Sequence, residues 1–402
     1  MEPSKSPLPA YIFSIVLFVS LFEVSSFVVF KLGLLEQMVF RGTGSISTEE
    51  FKKYLEDRDE KLGWPTKTVL AQRHEGNGYR KSPALKSFGN DKPPCLAVYG
   101  DSFAFAEEVS DANAWPDKLS GILGCKVLNY GVGAYGTDQA LMRFEALHPD
   151  GVRALMTFID ADLERNRNQV RGLWNGIIEL RRSKPRFLER NDPDSARSDL
   201  ETIGLPINNY EDVASLQNSE NLNNVLKHEF FLPDTSVWSA VTPSFPYSYS
   251  ALKLVRNILI KNKIAGYRNL AGKQDFITRM KIAVSKIAPA AVSRNDVSIR
   301  LQTLILTRFL RVCKEKHIRC GILRLPDLAE VQFQYEDSHV LNELKAVEVI
   351  REHILELSMD CLHREFAARN VSKNEIMSEK MPGAHYSSVA NQVLAVCLGN
   401  VL

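Results

Sequence analysis

Short apolar runs alternate with amphipathic stretches along two parts of the chain. The runs have the length of buried strands, and the stretches between them carry apolar residues at helical spacing. The predicted strands are Cys95–Gly100, Cys125–Gly131, Ala154–Asp160, Ile318–Pro326 and Ile354–Leu362. The predicted helices are Ala114–Leu123, Asp138–Leu147, Ser298–Lys316, Val340–Glu352 and Val389–Leu398. This alternation predicts an α/β fold, a three-layer sandwich with helices on both faces of a five-stranded parallel sheet.

The most apolar stretch of the chain is YIFSIVLFVSLFEVSSFVVFKLGLL, which begins at Tyr11 and is interrupted by Glu23 and Lys31. About 20 apolar residues cross a bilayer as a helix, so residues 1–40 are predicted to be a membrane anchor. A cleaved signal peptide is the alternative, but the apolar run continues through Phe27 to Phe30, beyond the length that such a signal needs. Because a carboxylate is costly at mid-bilayer, Glu23 is expected at an interface or against another helix.

The rest of the chain is predicted to contain four further parts. Residues 41–94 are polar and are interpreted as a stalk, and residues 95–163 form the first part of the α/β domain. Residues 164–296 do not alternate in the same way and mix helical stretches with segments rich in Pro and Asn, which predicts an inserted cap or side subdomain. Residues 297–402 complete the α/β domain.

Composition restricts the class of protein only broadly. The 402 residues are 45% hydrophobic and 24% charged, as in a folded globular protein, and the formal net charge of +2 gives no reason to expect a nucleic-acid partner. The six cysteines follow no zinc or redox spacing, which predicts buried free thiols. The histidines are scattered without ligand spacing, so we predict no metal site and no cofactor.

Three segments carry candidate chemistry, each at the end of a predicted strand or the start of a helix. Ser102 follows the first strand in GDSF, the place where ligands bind in an open parallel sheet. The second strand leads into NYGVGAYGTDQ, a Gly-rich turn whose backbone N–H groups suit an oxyanion. Near the C-terminus, His385 precedes the last predicted helix. A serine, a Gly-rich loop and a histidine can thus converge on one site.

At these three segments the chain resembles the SGNH (GDSL-type) hydrolase superfamily, and most closely its membrane-anchored bacterial branch associated with cell-surface polysaccharide O-acylation. The resemblance implies a flavodoxin-like SGNH fold with an N-terminal transmembrane helix and a helical insertion. It also implies that Ser102 attacks an ester carbonyl and that His385 is the general base. The oxyanion would be bound by the Ser102 N–H and by the turn that contains Gly133 and Ala134.

The chain departs from the family pattern at three places. Ala134 stands where the family has an oxyanion glycine, and in FIDADLERN the family's Asn position falls on Ala161, between two aspartates. The acid that normally precedes the histidine is absent. We therefore expect another carboxylate to lie close to His385, with Glu379 slightly ahead of Asp360, or the histidine to act in a dyad.

Two polar residues of the Gly-rich segment have two interpretations each. Asp138 begins a helix, so it either compensates the helix dipole or contacts substrate. Asn129 either contacts substrate or fixes the turn by side-chain hydrogen bonds.

The resemblance implies a membrane-anchored serine esterase or O-acyltransferase acting on acyl groups of a cell-surface or exported glycan. It would be a single-pass protein of the bacterial inner membrane with a periplasmic domain, and its partners would be an acylated carbohydrate and a membrane acyltransferase. No residue separates hydrolysis from transfer. The alternative is a catalytically degenerate module that binds glycan or acts as a scaffold in a polysaccharide export or modification system, and a lipid-active esterase is a third possibility.

Overall fold

The computed structural model describes residues 8–33, 38–42, 46–89, 92–173, 176–190, 199–217, 221–235, 239–266, 293–326, 338–376, 378 and 385–402. The chain divides into two compact units. The first contains residues 1–51, 170–180 and 207–288, and the second contains residues 52–169, 181–206 and 289–402. The second unit holds all three candidate segments.

The second unit is built on a four-stranded parallel sheet in the order β2-β1-β3-β6. An antiparallel hairpin, β4–β5, forms a separate two-stranded sheet. The order of the four parallel strands matches the start of the flavodoxin-like arrangement, with β1 and β3 side by side at the point where strand order reverses. The strands are β1 Pro94–Tyr99, β2 Lys126–Asn129, β3 Arg153–Phe158, β4 Arg186–Arg190, β5 Asp199–Ile203 and β6 Cys320–Arg324.

The prediction of a fifth strand at Ile354–Leu362 is wrong. Only Ile354 pairs with the sheet, through a single parallel bridge to Ile322 in β6. The reason is local: Ser358 is a helix N-cap whose side chain accepts a hydrogen bond from the Cys361 N–H. A helix therefore begins at Met359 and takes over the second half of the predicted strand.

Side chains of the parallel strands alternate between two cores, as strand geometry requires. In β1, Leu96 and Val98 lie in one apolar cluster, whereas Ala97 and Tyr99 lie in the other. Beyond α2 (Thr48–Asp57), the described helices of this unit are α3 Lys67–Arg73, α4 Pro83–Ser87, α5 Ser102–Phe105, α6 Trp115–Leu123, α7 Thr137–Leu147, α8 Asp162–Arg165, α12 Ser293–Glu315, α13 His339–Lys345, α14 Glu348–Arg351, α15 Met359–Ala368 and α16 Ser388–Gly399. The first cluster packs under α6 and α16 and the second under α7 and α12.

Part of the predicted insertion belongs to the sheet unit. The hairpin β4–β5 places Phe187 and Leu200 in the same apolar cluster as Phe144 of α7 and Phe309 of α12. Arg308 of α12 donates to the Leu200 carbonyl at 3.3 Å. Residues 181–206 therefore extend one layer of the sheet unit, while 170–180 and 207–288 belong to the other unit.

The first unit contains the apolar N-terminal helix α1, Leu8–Lys31. Its segment Tyr11–Lys31 has a mean hydropathy of 2.3 and is long and apolar enough to cross a membrane. One apolar cluster of the unit contains Met38, Val39, Val241 and Leu254. Its other described helices are α9 Tyr210–Ser215, α10 Leu222–Val225 and α11 Tyr247–Gly266, and α2 Thr48–Asp57 lies at the boundary of the two units.

The prediction of free thiols is wrong, because all six cysteines are paired. The disulfides are Cys95–Cys125, Cys313–Cys320 and Cys361–Cys397. All lie in the sheet unit, where they join elements that are adjacent in space, and the third joins α15 to α16. Disulfides form and persist in oxidising compartments.

Removal of the longest disulfide loop is expected to destabilise the protein most. Cys361 and Cys397 are 36 residues apart, whereas Cys313 and Cys320 are 7 apart. The chain-entropy relation gives losses of about 4 and about 2 kcal/mol respectively in the free energy of unfolding. Urea unfolding of the two double Cys→Ala variants measures this difference, and equal losses would contradict it.

Candidate active site

Ser102 lies at the carboxyl end of β1, beside the carboxyl end of β3. Ligands of open α/β sheets bind at such a switch in strand order. Gly100 makes the turn possible, because a Cβ atom at this position would lie 2.3 Å from the Thr157 hydroxyl oxygen in β3. Ser102, the candidate nucleophile, thus lies on the tight turn between β1 and α5, the position predicted from the sequence.

The turn around Ser102 is fixed by its own capping interactions. The Asp101 carboxylate accepts a hydrogen bond from the Phe103 N–H at 2.9 Å, and the Ser102 carbonyl accepts one from the Glu107 N–H at 2.9 Å. Ala106 ends α5 in the left-handed conformation, with φ of 61°. Ser102 is buried, and its Oγ makes no hydrogen bond to any residue that the structure describes.

His385 is held by Glu108, a carboxylate on the loop that follows the serine helix. The two side chains meet at 2.7 Å, between His385 Nδ1 and Glu108 Oε1. The Glu108 side chain is 8% exposed and that of His385 is 17% exposed, so the contact is shielded while the ring stays accessible. The imidazole lies beside Phe103, with ring centroids 5.0 Å apart. The structure thus places the histidine next to the residue that follows Ser102.

Glu108 itself has a strained backbone, with φ of 72°. A non-glycine residue in this region costs roughly 1–3 kcal/mol and persists only where its surroundings fix it. Arg80, which is almost fully buried, supplies that support by donating to the Ala106 and Val109 carbonyls at 2.7 Å each. Asp111 holds the Arg80 Nε at 2.9 Å. A buried arginine thus shapes the loop that presents Glu108 to His385.

Trp115 connects the serine segment to the histidine segment. Its indole Nε1 donates to the Phe103 carbonyl at 2.9 Å, and its backbone N–H donates to the Asn391 side chain at 3.2 Å. The Asn391 amide in turn donates to the Tyr386 and Ser387 carbonyls at 3.1 and 2.9 Å. Trp115 and Asn391 therefore fasten the start of α16, directly after His385, to the serine helix.

The Gly-rich loop after β2 packs directly on the serine helix. A Cβ atom at Gly131 would lie 2.4 Å from the Phe105 backbone nitrogen, so only glycine allows this approach. Asn129 is buried and donates to the Ala104 and Phe105 carbonyls at 3.0 and 3.3 Å, while its side-chain oxygen accepts from the Gly131 N–H at 2.9 Å. These hydrogen bonds are the ones expected if Asn129 fixes the turn.

The predicted oxyanion segment packs against the serine helix through Gly131. Neither the Ser102 N–H nor the Gly133 N–H has a hydrogen-bond acceptor within the described part of the chain. Trp64 donates from Nε1 to the Gly133 carbonyl at 2.9 Å and so fixes the peptide that leads to Ala134. Ala134 has φ of 69°, the left-handed conformation that explains why glycine is favoured there.

Replacing Ala134 with glycine is expected to raise the free energy of unfolding by about 1 kcal/mol, because it removes a left-handed alanine. Ala161 is the matched control. It is exposed with φ of −64°, so Ala161→Gly is expected to lower stability by up to about 1 kcal/mol. Chemical unfolding of both variants checks the opposite signs, and a loss of stability at Ala134 would contradict the assignment.

The two aspartates at the end of β3 are paired with arginines. Asp160 Oδ1 accepts from Arg324 Nε at 2.7 Å. Asp162 is buried and accepts from Arg165 at 2.8 Å and from the Ile159 N–H at 3.2 Å. A carboxylate facing an oxyanion would oppose catalysis. Here each aspartate is instead paired with an arginine. Ala161, between the two aspartates, is exposed and provides no side-chain donor.

Arg165 joins the three loops of the site. One guanidinium nitrogen donates to Asp101 beside Ser102 at 2.8 Å, to the Tyr135 carbonyl of the Gly-rich loop at 3.2 Å, and to Asp162 at 2.8 Å. Burial raises the pKa of Asp162 well above its usual value, and the Asp101 charge raises it further. Burial by itself lowers the pKa of the Arg165 guanidinium. The charges of Asp162 and Asp101 outweigh this effect, so the pKa of Arg165 is raised.

Asp138 is fully buried and forms an ion pair with Lys184. Its other oxygen accepts from the Gln139 N–H at 2.8 Å, and its backbone N–H donates to Asn166 at 3.0 Å. These contacts tie α7 to the hairpin side of the unit. Such contacts are expected if Asp138 has a structural role in the first turn of α7.

Sequence reasoning did not find the carboxylate that contacts His385. Glu379 lies outside the described residues. Asp360, expected at the end of a strand, lies in the first turn of α15, and among the described residues it makes no hydrogen bond to His385. Glu108 comes from the opposite end of the chain, and its signal was the acidic pair Glu107-Glu108 in an otherwise apolar turn.

Comparisons with known proteins give a distant likeness. No protein-family model matches the chain, and no curated protein matches it. Among solved structures, the chain is similar to a protein assigned to the lipolytic G-D-S-L family from Desulfitobacterium hafniense DCB-2. The identity is 12%, the match covers 77% of this chain and 100% of that one, and the TM-score is 0.33.

Proposed function

We propose that the protein is a membrane-anchored serine esterase or O-acyltransferase that acts on acyl groups of a cell-surface or exported glycan. The observation that carries the proposal is the hydrogen bond at 2.7 Å between His385 and buried Glu108, beside the turn that bears Ser102. A histidine oriented by a carboxylate next to a serine at a strand end is the arrangement of a nucleophile and its base.

In the proposed reaction, Ser102 Oγ attacks the ester carbonyl while His385 Nε2 takes the hydroxyl proton. Glu108 keeps the other ring proton on Nδ1 and stabilises the imidazolium. The Ser102 and Gly133 N–H groups donate to the oxyanion. Collapse breaks the bond to the leaving alcohol, which receives the proton from His385 and leaves an acyl-serine.

The acyl-serine is resolved by the reverse sequence. Water attacks in hydrolysis and a sugar hydroxyl attacks in transfer, with His385 again taking the proton and returning it to Ser102 Oγ. Ser102 Oγ makes no hydrogen bond to any described residue in the free protein, so the proposed mechanism requires its contact with His385 to form when substrate binds.

The proposed location is the bacterial inner membrane, with α1 as a single span and the sheet unit in the periplasm. Two observations support it: the length and apolarity of Tyr11–Lys31, and three disulfides that require an oxidising compartment. An acylated carbohydrate as substrate and a membrane acyltransferase as partner follow from the resemblance of the three motif segments.

A fluorophosphonate probe tests the proposal without knowledge of the natural ester. The full-length protein is expected to be labelled at Ser102, and Ser102→Ala is expected to abolish labelling. Ser110→Ala is the matched control, because this serine is exposed on the same loop and is expected to leave labelling unchanged.

The second candidate function is a binding module without turnover. It is favoured by the missing donor at Ala161 and by the absence of a bond between Ser102 and His385 among the described residues. An unlabelled wild-type protein, together with an unchanged biological phenotype in Ser102→Ala, would replace the enzyme proposal with this one.

A further inference from the structure

The first half of α11 presents an apolar face to the surroundings. Phe245, just ahead of the helix, is 78% exposed, and Tyr249, Leu252 and Val255 are 67%, 59% and 47% exposed. Their spacing of three and four residues places them on one side of a helix. The opposite side is buried through Ser250, Leu254 and Asn257, so the exposed face is additional to the core of the unit.

This face adjoins the apolar helix α1. The ring of Tyr247 packs against Phe27 and Phe30, with centroids 5.1 and 6.5 Å apart. The carboxylate of Glu23 accepts from the Tyr247 and Ser248 N–H groups at 2.6 and 2.9 Å. Within this unit, the exposed apolar surfaces of α1 and α11 are therefore neighbouring.

The contacts set the depth of α11 relative to α1. At about 1.5 Å per residue, Glu23 lies roughly 12 Å along the helix from Lys31. If α1 spans a bilayer with Lys31 at one surface, the start of α11 lies below the headgroups of that surface. The exposed side chains of Phe245 and Tyr249 are then at the depth of the hydrocarbon core, below the interfacial level where Tyr and Trp concentrate.

The same contacts explain how the apolar helix accommodates Glu23. An ionised carboxylate in a bilayer is costly unless it has a partner. Two backbone donors at the N-terminus of α11, together with the positive end of its dipole, supply one. The acidic residue of α1 thus fixes α11 at membrane depth.

From these observations we infer that α11 is a second membrane contact: its face Phe245, Tyr249, Leu252 and Val255 inserts into the lipid bilayer that α1 spans. The occupant of this face is lipid, because the face continues the apolar surface of a membrane-crossing helix. Arg256, exposed next to Val255 at the end of this face, is placed to meet anionic headgroups. The inference rests on the membrane anchor of the proposed function and is independent of its chemistry.

Site-specific photocrosslinking tests the inference on the full-length protein in phosphatidylethanolamine–phosphatidylglycerol vesicles. A benzophenone amino acid replaces Tyr249 or Leu252 in separate variants. Phe18, exposed on α1, is the positive control, and Ile122, exposed on α6, is the negative control. Mass spectrometry is expected to find lipid adducts at 249 and 252 in yields similar to position 18, and none above background at 122. Unchanged thermal unfolding confirms that each variant is folded.

Lipid adducts at 18 without adducts at 249 and 252 would overturn the inference and leave the anchor intact. Crosslinks from 249 or 252 to a second copy of the chain would overturn it in favour of a protein interface. Absence of adducts at all positions would overturn both the inference and the anchor, whereas fluorophosphonate labelling of Ser102 reports separately on the catalytic part.

Discussion

Replacing Glu108 with glutamine is expected to slow fluorophosphonate labelling of Ser102 by about 10³–10⁴-fold while the protein remains folded. The carboxylate lies 2.7 Å from His385 Nδ1, and in the proposed mechanism it fixes the ring tautomer and stabilises the imidazolium that forms in the reaction. An amide has no charge, and its NH₂ group favours the wrong tautomer. The second-order labelling rate measures the effect without a known substrate.

Glu365→Gln is the matched control for this substitution. Glu365 pairs with Arg369 on the surface of α15, so its loss is expected to leave the labelling rate unchanged. If labelling falls in Asp360→Asn or Glu379→Gln but not in Glu108→Gln, the acid role passes to one of the residues predicted from the sequence. Unchanged labelling in all three variants would indicate that His385 acts without an acid.

Replacing Arg165 with methionine is expected to lower the free energy of unfolding by about 3–5 kcal/mol at neutral pH. Asp101 and Asp162 are both almost fully buried, and Arg165 is the cation they share. The matched control is Arg300→Met, whose partner Glu189 forms a surface pair, so its cost is expected to be below about 1 kcal/mol.

The destabilisation at Arg165 is expected to depend on pH. Without the guanidinium, burial raises the pKa of Asp162 further above its unfolded value, so the folded state favours the protonated acid. Stability is then retained near the unfolded pKa of about 4 and is lost as the pH rises through the raised folded pKa of Asp162. Urea unfolding across this range checks the sign. Asp162→Asn in the variant background is expected to recover part of the loss at high pH, and a pH-independent deficit would contradict this account.

Local patterns predicted the elements that depend on neighbouring residues. The apolar run of β1 and the GDSF turn that follows it place Ser102 at a strand end. The apolar run at the N-terminus forms one continuous helix. Ala134 was singled out because a family glycine was missing, and its φ of 69° gives the physical reason. Each of these inferences uses information within a few residues.

The remaining features depend on contacts between distant segments. Glu108 could not be predicted from spacing before the histidine, because the carboxylate that contacts His385 lies on the loop after α5, 277 residues earlier in the chain. Nothing in the sequence distinguishes Arg165 from the other arginines, because its place in the site depends on hydrogen bonds to Asp101, Tyr135 and Asp162. The three disulfides were missed because spacing along the chain does not report proximity in space.

The pair formed by His385 and Glu108 joins positions 277 residues apart, and the bond between Trp115 and Asn391 spans 276. Contacts of such separation close late in folding, because the entropy of the intervening chain opposes them. A chain emerging during synthesis has the residues of β1, β2 and β3 long before those of α16. Until α16 docks, His385 and Glu108 remain apart, so the candidate site is assembled only late in folding.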